Sequence, residues 1–275
     1  MSLRINSNPA AVNAYRNLTS TNVGLGKSLE KLSSGFRINR AADDAAGLVK
    51  SETLRAEISG NKAAIRNAQD GISFVQTAEG ALNEVHSILQ RIRELAVDAA
   101  NTATTDGVAQ QAEVDELAAE LDAIGSRTKF AGKTVFSDYS TTTLDFQIGA
   151  NSGDTLSVND DLGLSSADTF GGNVSALVLT TGAGASAAIA SIDTAIGNVS
   201  TARSTLGATQ NRLEHVVNNL SVAVENLTAS ESRIRDTDMA MEMANFTKHQ
   251  ILSQAGTAML AQANAVPQNV LTLLR

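Results

Sequence analysis

Residues 192–234 read IDTAIGNVSTARSTLGATQNRLEHVVNNLSVAVENLTASESRI, and within them Ile192, Val199, Leu206, Leu213, Leu220, Leu227 and Ile234 recur at steps of seven. Ile189, Ile196, Val216, Val217, Ala223 and Val224 flank that row and widen it into a stripe. A 3.5-residue repeat keeps one seam turned toward a partner helix, so heptad positions filled in succession by Ile, Val or Leu predict a coiled-coil-like bundle helix. A helix of roughly 45 residues would be about 65–70 Å long.

The partner is legible on the N-terminal side. Leu54, Ile58, Ile65, Ile72, Val85, Ile92 and Leu95 keep helical spacing, and Ala68, Val75, Leu82, Leu89 and Ala96 again fall at steps of seven. A helix from about Ala42 to Ala100 matches the C-terminal one in length, and the two seams can bury each other. After the breaker-rich turn Asn101 to Gly107, Val114, Leu117, Leu121 and Ile124 predict a third bundle helix from Val108. Leu144, Phe146 and Ile148 then alternate with polar residues, a Gly-Ala-Asn-Ser-Gly-Asp turn follows, and Leu156 and Val158 alternate again, which predicts a hairpin with one buried face. The Gly/Ala/Ser-rich stretch 171–188 reads as a connector.

The outermost segments form a further pair. Leu18, Leu25 and Leu32 sit at heptad spacing beside Leu29 and Phe36, and Met239, Met243, Phe246, Ile251, Leu252, Ala255, Met259, Leu260 and Ala263 are the C-terminal counterpart. Isolated helices this short are marginal in water. Both ends are therefore expected to be disordered in the free subunit and helical once packed, so that folding energy becomes available in a polymer. The fold class expected is mainly α: a long antiparallel helical bundle with a small β-hairpin region and paired N- and C-terminal helices. Its expected divisions are a terminal helix over 1–41, a rod-like bundle over 42–232 with the hairpin at about 130–175, and a second terminal helix over 233–275.

Composition narrows the function classes. Aromatic residues are 3% of the 275, Trp is absent, and the prolines stand at Pro9 and Pro267, so an elongated Ala-rich assembly with long uninterrupted helices fits better than an aromatic-cored globule. With no cysteine, disulfides, thiolate metal sites and cysteine nucleophiles are all excluded. The first residues have no apolar signal core, and no run approaches the roughly 18 apolar residues of a membrane span. Export without a cleaved signal peptide and without membrane insertion is expected. Net charge is −8, with six basic side chains against Glu30 alone in residues 1–40 and twelve acidic against three basic in 101–180. The basic charges are scattered along an amphipathic helix rather than clustered, so nucleic acid is not an expected partner.

Longer motifs carry a resemblance. Leu32-Ser-Ser-Gly-Phe-Arg-Ile-Asn-Arg-Ala-Ala-Asp-Asp-Ala-Ala-Gly-Leu48, Arg66-Asn-Ala-Gln-Asp-Gly-Ile-Ser-Phe-Val-Gln-Thr-Ala-Glu-Gly-Ala-Leu82 and Leu89-Gln-Arg-Ile-Arg-Glu-Leu-Ala96 resemble the N-terminal region of bacterial flagellins. Leu206-Gly-Ala-Thr-Gln-Asn-Arg-Leu213, Ser232-Arg-Ile-Arg-Asp-Thr-Asp-Met-Ala240 and Ile251-Leu-Ser-Gln-Ala-Gly-Thr-Ala-Met-Leu-Ala-Gln-Ala-Asn264 are similar to the family's C-terminal region. The similarity spans about 1–135 and 190–275, and the large variable domains many flagellins insert between are absent. Asn61 stands where the family usually has Leu, and Ile65, one turn on, where a small polar residue is usual, an exchange that keeps an apolar group on the same face.

The resemblance implies a structural subunit of the extracellular flagellar filament used for swimming. It implies terminal helices lining the filament channel, export through the flagellar type III apparatus, and a cytoplasmic chaperone on the C-terminal segment. Flagellar cap and hook-junction proteins are the other implied partners, besides the chain itself as a helical homopolymer. It further implies contact with an innate immune Toll-like receptor through Arg91 and Leu95, with Glu113 on the next helix. Packing between neighbouring subunits is the plainer role for those three residues.

Catalysis finds no support in the residue pattern. His86, His215 and His249 lie far apart with no metal-binding spacing, so no metal and no cofactor is expected. Asp43 and Asp44 are adjacent and suit capping at a helix start better than paired acid–base chemistry. Gly24-Leu-Gly26 and Gly182-Ala-Gly184 lack the rest of a phosphate loop. A hook–filament junction protein is the nearest rival. A chemoreceptor-like signalling hairpin would need a membrane span or partner domain, and a flagellin-borne protease would need a metal motif in the central insert.

Overall fold

The computed structural model describes residues 8–102, 106–136, 144–158 and 177–273. Among them are helices α1 (Pro9–Ser34), α2 (Ala45–Ala100), α3 (Val108–Arg127), α4 (Gly182–Arg235) and α5 (Met239–Leu273), and strands β1 (Lys129–Phe130), β2 (Lys133–Thr134), β3 (Leu144–Gln147) and β4 (Thr155–Val158). The fold is mainly α, as its heptads predict. By contact the chain divides into two compact units, residues 1–56 with 226–275 and residues 57–225. Within the first of these units the opening turns of α2 are tied to the last turn of α4 by the Glu52–Arg235 ion pair at 2.8 Å.

Unit 57–225 holds the core. The α2 heptad residues Ala68, Val75, Leu82, Leu89 and Ala96 are buried, as are Ile192, Val199, Leu206 and Leu213 on α4. The third helix completes the bundle with Val114, Ala118 and Leu121, and Val135, Phe136, Leu177 and Leu179 close over it. From Leu220 onward the same seven-residue spacing continues, yet Leu220, Leu227 and Ile234 are only half-buried.

Two hairpins lean on α2 in this unit. In the first, β1 and β2 pair antiparallel, Lys129 opposite Thr134, across a two-residue turn in which Ala131 and Gly132 both have positive φ. That is the backbone twist short hairpins favour. Strands of two residues have no period, so residue spacing does not mark this hairpin. In the second, the hairpin the alternation predicts, β3 and β4 pair antiparallel with Phe146 opposite Leu156. Leu156 is buried against Ala68 and Leu213, with Phe146 and Ile148 packed beside them. The side chains of Leu144 and Val158, and the hairpin region outside 144–158, lie outside the described residues. Phe74 of α2 meets both hairpins, edge-on to Phe130 and tilted to Phe146, each at 5.9 Å between centroids.

The connector expectation needs correction. Residues 171–176 lie outside the described residues, but Gly182–Ala188 are the first turns of α4, with Ala185 and Ala188 buried. Thr181 starts the helix, its hydroxyl accepting from the Gly184 N–H at 3.2 Å and its carbonyl from Ala185 at 2.8 Å. Alanine is the strongest helix former, so a small-residue run after a cap continues as helix.

Candidate assembly surface

In unit 1–56 with 226–275, α1 and α5 run antiparallel. Leu18 lies against Gly256, Asn22 receives a hydrogen bond from Ser253 at 3.0 Å, Gly24 faces His249, and Lys31 reaches Glu242 at 4.0 Å. Leu18, Leu25 and Leu32 are half-buried along this pair, as is Leu260, while Met259 is exposed. The helices are formed and paired in the single chain.

The turns that follow α1 and precede α5 are joined to each other. Gly35, left-handed at φ 76°, ends α1 with its N–H on the Lys31 carbonyl. Phe36 and Asp236 form an isolated antiparallel bridge, with the Arg37 N–H on the Arg235 carbonyl at 2.7 Å and the Thr237 N–H on the Gly35 carbonyl at 3.0 Å. Arg235 lies over the Phe36 ring at 4.8 Å while pairing with Glu52. None of these partners shares a period with another, which is why sequence spacing did not find them.

Asp43 and Asp44 divide the capping between them. Asp44 Oδ1 accepts from the Gly47 N–H at 2.8 Å at the start of α2, whereas Asp43 Oδ2 accepts from the N–H groups of Arg40 and Asn39 at 3.0 and 3.3 Å. The Arg40 bond is the largest cause holding the Asp43 carboxyl below its ordinary range. Burial opposes it, and Asn39 and the charges of Lys27 and Lys31 add to it.

What this unit lacks is a core. Among the described residues Ile38 is its one fully buried apolar side chain. All the exposed large apolar residues among those described, except Val97, Val108, Val178 and Val222, belong to it instead. On α1, Val12, Tyr15, Thr19 and Val23 follow helical spacing along a face beside that of Leu18 and Leu25, and they line a shallow groove with Arg16 and Ser20. On α5, Met241, Leu252, Met259 and Val266 form a stripe beside the α1 contact. Each terminal helix is therefore apolar both where it meets its partner and where it meets solvent, which a finished soluble surface avoids.

The other candidate residues lie in unit 57–225. Arg91 and Glu113 are brought together, Nε of Arg91 donating to Glu113 Oε1 at 2.8 Å and Nη1 to Glu94 Oε2 at 3.2 Å. The Glu113 hydrogen bond, then that of Glu94, holds the Arg91 guanidinium pKa above its ordinary value. Arg93 is raised likewise by its bond to Asp193 at 2.6 Å. Leu95 is only 5% exposed and packs in the bundle core, so Arg91 and Glu113 alone present accessible side chains. His86, on this helix, meets Gln90 at 2.9 Å. No group of three or more metal-ligating side chains occurs among the described residues, and no described helix is long and apolar enough to cross a membrane.

Comparison with known proteins covers nearly the whole chain. Residues 5–141 match the bacterial flagellin N-terminal helical region and residues 189–274 the bacterial flagellin C-terminal helical region. The chain is 50% identical to a flagellin of Bacillus subtilis, over 99% of this chain and 100% of that one. It is 51% identical to a flagellin of Halalkalibacterium halodurans, over 98% and 99% of the two chains. A flagellar filament 33 kDa core protein of Treponema phagedenis is 46% identical, again over 98% and 99%.

Proposed function

The chain belongs to the bacterial flagellin family, and from that membership we propose that it is a structural subunit, not an enzyme, that polymerises with copies of itself into the extracellular flagellar filament used for swimming. One observation carries this reading. Among its described residues, the unit built from the chain's two ends buries a single large apolar side chain, Ile38, and leaves Val12, Tyr15, Val23, Leu29, Ile251, Leu252, Met259 and Val266 open to solvent. Apolar burial contributes roughly 1.5–3 kcal/mol per large side chain, so a surface of this kind gains most of its stability when other copies cover it. We propose that the terminal helices are ordered chiefly in the polymer, with folding and assembly coupled.

Purified chain, seeded with short filament fragments, should elongate into filaments visible by electron microscopy. Deletion of residues 267–275 should leave unit 57–225 folded and abolish elongation; full-length filaments from the truncated chain would defeat the proposal.

Export through the flagellar type III apparatus, a chaperone on the C-terminal segment, and cap and hook-junction proteins as partners belong to the same proposal. So does recognition by a Toll-like receptor, through the accessible Arg91 and Glu113 rather than the buried Leu95. In the free subunit Arg91 is already committed to Glu113 and Glu94, so a receptor must take it over from them. An Arg91→Ala subunit should activate the receptor more weakly. An unchanged dose response would remove this part of the reading.

A further inference from the structure

The four methionines that follow Met1 all stand on α5: Met239, Met241, Met243 and Met259. They are 47%, 65%, 51% and 64% exposed. Met241, Leu252, Met259 and Val266 are separated by eleven, seven and seven residues, each step within about 20° of whole turns, so two of the thioethers sit on one apolar stripe. Met239 and Met243, one turn apart, lie together on another side of the helix. Unbranched thioethers adapt to an irregular partner surface, and this explains their use on a face that must be covered. It also makes that face oxidisable. The chain has no cysteine and no tryptophan to intercept an oxidant first.

We propose that these methionines are a reversible oxidation site through which peroxide controls the subunit's competence to polymerise. The inference rests on the filament reading above. In the reaction a thioether lone pair attacks one oxygen of hydrogen peroxide. The S–O bond forms as the O–O bond breaks, and the proton carried on the transferred oxygen passes to the departing hydroxide, giving sulfoxide and water. Sulfur is oxidised by two electrons and the peroxide is reduced by the same two. The product is a polar group where the apolar stripe needs none. Covering a sulfoxide without giving it a hydrogen-bond donor is unfavourable, so an oxidised subunit is rejected at the growing end. Incorporated subunits are shielded where neighbouring copies cover both sulfur-bearing sides of the helix. Reduction by sulfoxide reductases, one for each sulfur epimer, returns the subunit to competence.

The test uses the full chain. Soluble subunits and finished filaments are exposed to hydrogen peroxide, sulfoxides are located by peptide mass, and seeded elongation is followed by light scattering. The expected result is sulfoxide at all four α5 methionines in the subunit and much less in the filament, with elongation slowed on the order of tenfold per sulfoxide buried without a donor. Treatment with both reductases restores the rate. A chain carrying Met239→Leu, Met241→Leu, Met243→Leu and Met259→Leu elongates at the untreated rate after peroxide; should that variant fail to fold, the reductase rescue decides. Oxidised subunits elongating at the untreated rate would overturn this inference and leave the filament reading standing. Untreated subunits that never elongate would overturn both.

Discussion

The side-chain amide of Asn8 donates to the backbone carbonyl of Ala263 at 2.7 Å. In an uninterrupted helix that carbonyl receives the N–H of residue 267, and residue 267 is a proline with none to give. At the other end of the same amide, Oδ1 of Asn8 accepts from the Ala11 N–H at 3.2 Å and caps α1. One side chain thus satisfies a donor left open at the start of α1 and an acceptor left open inside α5.

If that is so, Asn8 and Pro267 are energetically coupled. Asn8→Ala should cost about 1–2 kcal/mol, through the lost cap and the orphaned carbonyl. Asn8→Asp keeps an acceptor for the cap but no donor, and should recover only part of the loss. In Asn8→Ala combined with Pro267→Ala, the restored N–H should satisfy Ala263, making the double change milder than the two singles predict. Amide exchange across α1 and α5 reads the cycle. Additivity within about 0.5 kcal/mol would mean that the bond does not connect the two residues energetically.

The buried half of the α4 seam makes a different prediction from its half-open continuation. Leu213 is fully buried, its Cδ1 close against Gly71 and its neighbours Ala68, Leu156 and Phe146 all apolar. A carboxylate there has no donor, so Leu213→Asp should abolish the cooperative melting of unit 57–225, at a cost of several kcal/mol. Leu227 keeps the heptad position but is half-buried, and Leu227→Asp should leave that melting intact while impairing polymerisation. Equal thermal destabilisation by both substitutions would contradict the idea that the far seam is reserved for other copies.

These two leucines mark how far the sequence can be read. Spacing of seven identifies which side chains share a face, and Val75, Leu82, Leu89, Ile192, Val199 and Leu206 are buried as their period requires. Period carries no information about what covers a face, so Leu220, Leu227 and Ile234 look the same in sequence and differ in exposure. The run before Ile189 reads as connector in sequence because Gly and Ala serve linkers and tight helix packing alike, and the Thr181 cap distinguishes them. At the candidate surface, the apolar rows on α1 and α5 were visible. The Arg235–Phe36 contact and the Asn8–Ala263 bond were not, since each joins residues about two hundred or more positions apart with no repeating pattern.

The turn between α1 and α2 should respond to acid. The carboxyl of Asp43 is held below its ordinary value of 3.8, first by the Arg40 N–H. A carboxyl with a depressed folded pKa adds stability that is fully present above its unfolded pKa and is lost as pH falls through the folded one. The turn should therefore be unaffected at neutral pH and loosen only below about pH 4. In carboxyl-detected NMR the Asp43 midpoint should lie below 3.8, with the Arg40 and Asn39 amide signals moving along the same curve. In Asp43→Asn those amides should lose that titration. An Asp43 midpoint at or above 3.8 would mean the two N–H groups do not grip it in solution.

Two glycines two positions apart, Gly24 and Gly26, should answer oppositely to the same substitution. A Cβ on Gly26 meets nothing within 4 Å, so Gly26→Ala gains the helix-forming advantage of alanine, about 1 kcal/mol, with nothing to oppose it. A Cβ on Gly24 would stand 2.6 Å from Cε1 and 2.9 Å from Nε2 of His249, inside the contact distance of the imidazole edge. The ring is half-buried with its Nδ1 enclosed and unpartnered, so it has little freedom to turn away. Overpacking of this kind costs roughly 1–3 kcal/mol, which outweighs the propensity gain. Gly24→Ala should therefore weaken amide protection along α1 while Gly26→Ala strengthens it, and Gly24→Ala with His249→Ala should behave like Gly26→Ala, because removing the imidazole opens the space the new methyl needs. Equal gains in protection from Gly24→Ala and Gly26→Ala in the His249 chain would show that α1 and α5 do not approach this closely.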